Sequence, residues 1–295
     1  MRDDDYRRLL DDRARHPERI AQAAAVRRRR PLLADREQIL IIAADHPARG
    51  ALGVSGRPMA MASRVELLDR LVVALSRPGV DGVLGTPDII EDLLLLGALD
   101  DKIVIGSMNR GGLQGAVFEF DDRFTAYDTE SIVAMRLDGG KMLCRIGLED
   151  ERTAATLESC ARAVTELSRE GLAAMVEPFW SKRSGGVVRN DLSADAMIHA
   201  IHVGQALGAS SARTWLKLPV IDDMERVMEA TTLPTLLLGG DPSGAPDEVY
   251  ASWAKALRNP GVRGLVVGRA LLYPPDDDVA AAVDIAAGLL EGAAR

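Results

Sequence analysis

The chain has 295 residues, 47% of them hydrophobic and 27% charged, and carries a formal net charge of −8. That acidic balance argues against a general affinity for nucleic acid or anionic membrane, and the apolar content is enough to bury a full core, which excludes a disordered chain. The two cysteines, Cys144 and Cys160, cannot build a disulfide framework, and no apolar run approaches the roughly 18 residues that span a bilayer. Together these predict a cytoplasmic protein that acts on a small molecule.

In chain order, the first 34 residues read as helix, with apolar positions at Leu9, Leu10, Ile20 and Val26 and a stop at Pro31. The basic run at 27–30 fits a solvated helix end near the negative pole of the helix dipole; a phosphate- or RNA-binding patch is the alternative. A unit of short apolar strand, polar loop and amphipathic helix then repeats. It predicts strands over 39–44, 80–84, 102–105, 141–146, 172–177, 213–218, 233–238 and 264–267. Eight βα units of this kind predict a single α/β (β/α)8 TIM barrel, with a helical extension over 1–34 and the barrel over 35–295. A doubly wound open sheet would require a glycine-rich phosphate loop after an early strand, and the first strand leads instead into Asp45-His46-Pro47.

Side chains two apart share a face of a strand, so Ile41, Ala43 and Asp45 form one set, Ala173, Met175 and Glu177 a second, Lys141, Leu143 and Arg145 a third, and Arg213, Trp215 and Lys217 a fourth. Two lysines and two carboxylates are thereby predicted to meet inside one end of the barrel, the C-terminal end where barrel enzymes do their chemistry. A second cation lowers a lysine's pKa, and a neutral amine is what attacks a carbonyl to form a Schiff base. Each residue also has a plainer reading. Lys141 and Glu177 could form salt bridges that seal the barrel, Lys217 could sit exposed at a strand end, and Asp45 could cap the next helix. Gly239 and Gly240 follow the seventh strand, and Gly268 with Arg269 follows the eighth. Barrels frequently bind phosphate at these two strand ends, although a glycine there can equally be a simple turn.

From 39 to 273 these residues resemble the class I aldolase superfamily of barrels, which contains the archaeal-type fructose-bisphosphate aldolases, tagatose-bisphosphate aldolase and deoxyribose-phosphate aldolase. The chain looks more closely like an actinobacterial branch of aldolase-like barrels associated with inositol catabolism. Asp45-His46 matches the Asp-His after strand one, and Lys217 in Leu216-Lys217-Leu218-Pro219 matches the Schiff-base lysine. Lys141 and Glu177 resemble the second lysine and the glutamate of tagatose-type members. Pro47 replaces the usual glycine after Asp-His. No tyrosine stands in Glu177-Pro178-Phe179-Trp180 to act as acid/base, which leaves Glu177 as the proton carrier.

The resemblance implies a cofactor-free, metal-independent carbon–carbon lyase that assembles as a homo-oligomer, with the N-terminal helix as a candidate interface. Its substrate would be a phosphorylated keto-sugar or keto-sugar acid, such as 5-dehydro-2-deoxy-6-phosphogluconate, cleaved to dihydroxyacetone phosphate and malonate semialdehyde. Lys217 would form the imine, Glu177 would take the departing hydroxyl's proton, and Asp45 and Lys141 would move protons. His46, Gly239, Gly240, Gly268 and Arg269 would bind substrate, while Arg110 or Arg145 would hold a carboxylate or second phosphate or serve only as a structural ion pair. Alternatives are another sugar-phosphate aldolase of that superfamily, a lysine-dependent acyl transferase, a metal-dependent aldolase, for which His16, His46, His199 and His202 are the only histidines, and a barrel that binds sugar phosphates without turnover.

Overall fold

A computed structural model describes residues 2–240 and 245–293. The strands are β1 (Ile39–Ala43), β2 (Gly82–Gly85), β3 (Ile103–Ser107), β4 (Gly139–Ile146), β5 (Ala173–Ser184), β6 (Val187–Asn190), β7 (Thr214–Pro219), β8 (Thr235–Leu238) and β9 (Val262–Val267). All but β6 pair in parallel, in the order β4-β3-β2-β1-β9-β8-β7-β5, and β4 also pairs with β5, so the sheet closes into the expected eight-stranded barrel. Helices α1 (Asp3–Arg15), α2 (Glu18–Val26), α3 (Arg64–Ser76), α4 (Pro87–Leu95), α5 (Thr129–Ala134), α6 (Arg152–Arg169), α7 (Ala194–Gln205), α8 (Met224–Met228), α9 (Pro246–Ala256), α10 (Arg269–Leu272) and α11 (Val279–Ala293) complete the chain. Helix starts are fixed locally: Ser63 accepts from the Glu66 amide, Ser193 accepts from the Ala196 amide, and Asp128 and Ser131 cap α5 reciprocally. No helix among the described residues is long and apolar enough to cross a membrane.

Strand alternation divides the core in two. Ile39, Ile41, Ala43, Ile103, Ile105, Met175, Leu236 and Val266 fill the barrel interior with Trp215, while the alternate residues, such as Leu40, Ile42, Val104 and Val176, face the helical layer.

The N-terminal segment differs from the expected single helix over 1–34. Its single helix is two, α1 and α2, broken at His16-Pro17, and the chain from Arg27 to β1 is not helical. The basic run is not a solvated helix end either. Arg27 is buried, donating to Lys102 O at 2.8 Å and pairing with Asp138, which also receives Arg29 Nε at 2.8 Å. Arg28 Nη2 lies 2.7 Å from Asp101, and Arg30 Nη1 lies 2.5 Å from Asp81. Asp81 and Asp138 in turn accept from the Leu40 and Val104 amides at 2.9 and 2.8 Å, so they anchor strand starts as well as arginines. Leu32 and Leu33 then pack against the interior cluster and close the N-terminal end of the barrel. Ion pairing to carboxylates spaced along the chain outweighs helix propensity here.

Strand five also differs, running seven residues beyond its expected end at Glu177. Pro178 is tolerated because β5 pairs with β7 only over Ala174 to Val176, so the missing amide falls where β5 has already left that neighbour. The extension turns back as β6, with Ser184 opposite Val187 across Gly185 and Gly186, both at positive φ (59° and 81°). This is the two-residue loop whose twist suits a hairpin, and it carries an arm above the barrel rim.

Candidate active site

At the C-terminal end of the barrel a cavity of about 720 Å³ is lined by Lys217, Glu177, His46, Arg110, Arg145, Gly239, Gly240, Gly268 and Arg269 among others. Every sequence-predicted site residue except Asp45 and Lys141 lines this cavity. Those two are fully buried and sit beneath it. Strand alternation accounts for the convergence: Lys217 stands two residues after the interior Trp215, and Glu177 two after the interior Met175.

The charged groups form a chain. Glu177 Oε1 lies 3.0 Å from Lys217 Nζ, and Glu177 Oε2 pairs closely with Lys141 Nζ. Lys141 Nζ lies 3.3 Å from Asp45 Oδ2, which also accepts from Ser107 Oγ at 3.1 Å and pairs with Arg110. Asp45 therefore anchors a buried lysine and a buried arginine and does not cap the following turn, Pro47–Arg49, which has no side-chain cap. Pro47 opens that turn at its first position, where a missing amide costs nothing. Lys217 is 3% exposed, so the reading of an exposed strand-end lysine is excluded.

Among these five groups, Arg110, Lys141 and Lys217 supply three positive charges when ionised against two negative charges from Asp45 and Glu177. The cluster balances when one lysine is neutral. Burial pushes the Lys141 ammonium well below its ordinary value, Arg110 and Lys217 push it further, and Glu177 opposes them. Burial also lowers Lys217, with Arg110 and Arg269 adding to the effect and Glu177 opposing it. Burial disfavours the Glu177 carboxylate, yet Lys141, Lys217 and Arg110 together hold it well below the usual carboxylate range. Burial pushes Arg110 down to about 10 and, with Arg269 and Lys217, keeps His46 well below its usual value and therefore neutral at pH 7. The two lysines share one carboxylate, so their titration belongs to the pair. Access separates them, because only Lys217 lines the cavity.

Arg145 is held by its own scaffold. Its Nε and Nη2 donate to the two Asp122 carboxylate oxygens at 2.8 and 2.6 Å, its Nη1 lies 3.4 Å from Glu119, and Nη2 also reaches Glu119 O. It ties the loop between β3 and α5 to β4, with Asn109 bridging Leu143 N and O at 2.7 and 2.6 Å. At Gly268 a Cβ would stand 2.2 Å from Ala43 O, so close approach to β1 requires glycine there whatever the cavity binds. His199 lies on α7 against the Trp180 ring, with His202 one turn on, away from the cavity. Among the described residues no three His, Cys, Asp or Glu side chains are grouped to hold a metal ion.

Sequence reasoning missed the arm, which brings Val188, Arg189, Asn190 and Leu192 to the cavity wall. The signal was present in Gly185-Gly186 between Lys182-Arg183-Ser184 and Val187-Val188-Arg189. It also missed Arg49, whose Nε donates to Gly112 O at 3.0 Å on the same wall.

No curated protein matches the sequence. Among solved structures, the crystal structure of Cgl0159 from Corynebacterium glutamicum is 56% identical, covering 99% of this chain and 98% of that one with a TM-score of 0.97. A Schiff-base-forming fructose-1,6-bisphosphate aldolase superposes with a TM-score of 0.65 at 19% identity, and an archaeal fructose 1,6-bisphosphate aldolase with 0.66 at 18%; each match covers 92% of this chain and 99% of the other. At such identities the likeness establishes a shared barrel fold. The model of the Cgl0159-like family matches residues 37–287, and the chain belongs to that family.

Proposed function

We propose that this chain is a class I aldolase that cleaves a phosphorylated keto-sugar or keto-sugar acid through a Schiff base on Lys217. The observation that carries the reading is the lysine on the cavity wall, 3.0 Å from a carboxylate that a second, buried lysine holds from behind. A site that only binds sugar phosphate has no need of an amine whose protonation is disfavoured. The shared fold with Schiff-base aldolases supports the same reading.

The neutral Lys217 amine adds to the substrate ketone, and loss of water with uptake of one proton, relayed from the Lys141 ammonium through Glu177, leaves an iminium. The iminium draws in the electron pair of the adjacent carbon–carbon bond as Glu177 takes the proton of the departing hydroxyl, so an aldehyde leaves and an enamine remains. Protonation of the enamine carbon and hydrolysis of the iminium release the ketone and restore Lys217. Lys141 and Asp45, beneath Glu177, accommodate the proton changes through that carboxylate. Gly239, Gly240, Gly268 and Arg269 bind the phosphate of the ketone half, His46 stands neutral beside them, Arg110 lends positive potential, and Arg145 holds the loop in place.

The specific substrate we propose is 5-dehydro-2-deoxy-6-phosphogluconate, which places the reaction in inositol catabolism. Incubation of the purified protein with this compound should release dihydroxyacetone phosphate and malonate semialdehyde, with the same rate in EDTA. An EDTA-sensitive activity restored by zinc would exclude the Schiff-base route, and an acylated product would favour acyl transfer from the same lysine.

A further inference from the structure

Three observations converge on the arm formed by β5 and β6. Among the described residues it is the one part of the sheet outside the barrel, pinned at its base by Ser181 Oγ donating to Asn190 Oδ1 at 2.8 Å and tied to the β3–α5 loop by Arg183 Nη2 donating to Val117 O at 3.0 Å. It carries Arg189 to the wall of the cavity that holds Lys217 and Glu177. Among the described residues the Arg189 guanidinium has no ion pair and no side-chain hydrogen bond, whereas Arg110 is paired with Asp45, Arg145 with Asp122 and Glu119, and Arg49 with Gly112 O and Glu119. Arg49, Arg110 and Arg145 are committed to building the cavity wall, but Arg189 is held there by backbone pairing alone.

The order of the strands gives its role. Around the barrel the sequence is β9, β8, β7, β5 and then the arm, so Lys217 on β7 lies between the glycines after β8 and β9 and Glu177 on β5. With the ketone on Lys217 and its phosphate toward β8 and β9, the bond that breaks lies toward Glu177, and the aldehyde half extends beneath the arm. We propose that Arg189 is a specificity-determining residue that recognises a terminal carboxylate on the aldehyde half of the substrate. A single planar guanidinium fork matches the two oxygens and single charge of a carboxylate. This inference rests on the aldolase reading above and assigns its substrate a carboxylate end.

The test runs the reaction in the addition direction, with dihydroxyacetone phosphate and three aldehydes: malonate semialdehyde, propanal and glyceraldehyde 3-phosphate. The wild-type protein should favour malonate semialdehyde over propanal by roughly ten- to a hundredfold in kcat/KM, as expected of a charge-assisted hydrogen bond. In Arg189→Ala that preference should collapse through a higher KM for the acid, and Arg189→Lys should restore part of it. A preference that survives Arg189→Ala, or a wild-type preference for glyceraldehyde 3-phosphate over malonate semialdehyde, overturns the proposal. Borohydride reduction with dihydroxyacetone phosphate alone separates the two levels. An adduct on Lys217 together with an unchanged acid preference in Arg189→Ala overturns only the role of Arg189, whereas no adduct on Lys217 overturns the aldolase reading and this one with it.

Discussion

Glu177 bridges two lysines, with Oε1 3.0 Å from Lys217 Nζ and Oε2 against Lys141 Nζ, so one carboxylate opposes the effect of burial on both amines. Glu177 stabilises the Lys217 ammonium, whereas burial, Arg110 and Arg269 destabilise it. The neutral form is the nucleophile, so imine formation should rise with pH through a midpoint below the ordinary lysine value of 10.5. In Glu177→Gln the stabilising anion is gone, and the midpoint of borohydride trapping should move to lower pH while turnover falls at least about a hundredfold. Trapping measured from pH 5 to 10 on both proteins checks the direction, and an upward shift contradicts it.

Lys141 is fully buried and has no access to a ketone, so its part is played through Glu177 and Asp45. Lys141→Met should lower kcat by about a hundredfold or more yet leave Lys217 able to form an adduct. Lys217→Met should abolish both. Steady-state kinetics with intact mass after reduction distinguishes the two variants.

Alternation of inward and outward side chains made much of the site legible in the sequence. Period two alone placed Ile41, Met175 and Trp215 inside the barrel and put Glu177 and Lys217 on its mouth. What alternation does not encode is depth, so it gave no hint that Lys141 and Asp45 lie beneath the cavity rather than on its wall. The N-terminal segment is illegible in the sequence for a related reason. A run of arginines looks solvated unless the carboxylates that receive it are known, and Asp81, Asp101 and Asp138 lie 51 to 111 positions away along the chain. The arm was hidden by Pro178, which reads as a strand end although β5 passes through it on a free edge.

The Arg27–Asp138 pair at the closed end of the barrel should matter for stability and not for chemistry. Arg27→Ala leaves Asp138 with the half-exposed Arg29 and the Val104 amide in place of two arginines and that amide, and it removes the donors to Lys102 O and Arg136 O. A loss of about 3 kcal/mol is expected, read as a lower urea midpoint, with kcat/KM at 25 °C unchanged. A variant as stable as the parent would remove the segment's anchoring role.

The hairpin turn depends on glycine at a positive φ of 81° at Gly186. Gly186→Val forces a β-branched residue into that region at a cost of about 1 to 2 kcal/mol, borne by the exposed arm. Amide exchange should quicken over 181–190, with the barrel strands unaffected. Equal exchange in both proteins would show that the turn does not hold the arm.

The most direct test of the account is borohydride reduction of the protein with dihydroxyacetone phosphate, followed by peptide mass mapping. A single adduct on the peptide containing Lys217, absent in Lys217→Met, is the predicted result. An adduct on Lys141, or none with a compound the protein demonstrably cleaves, would contradict it.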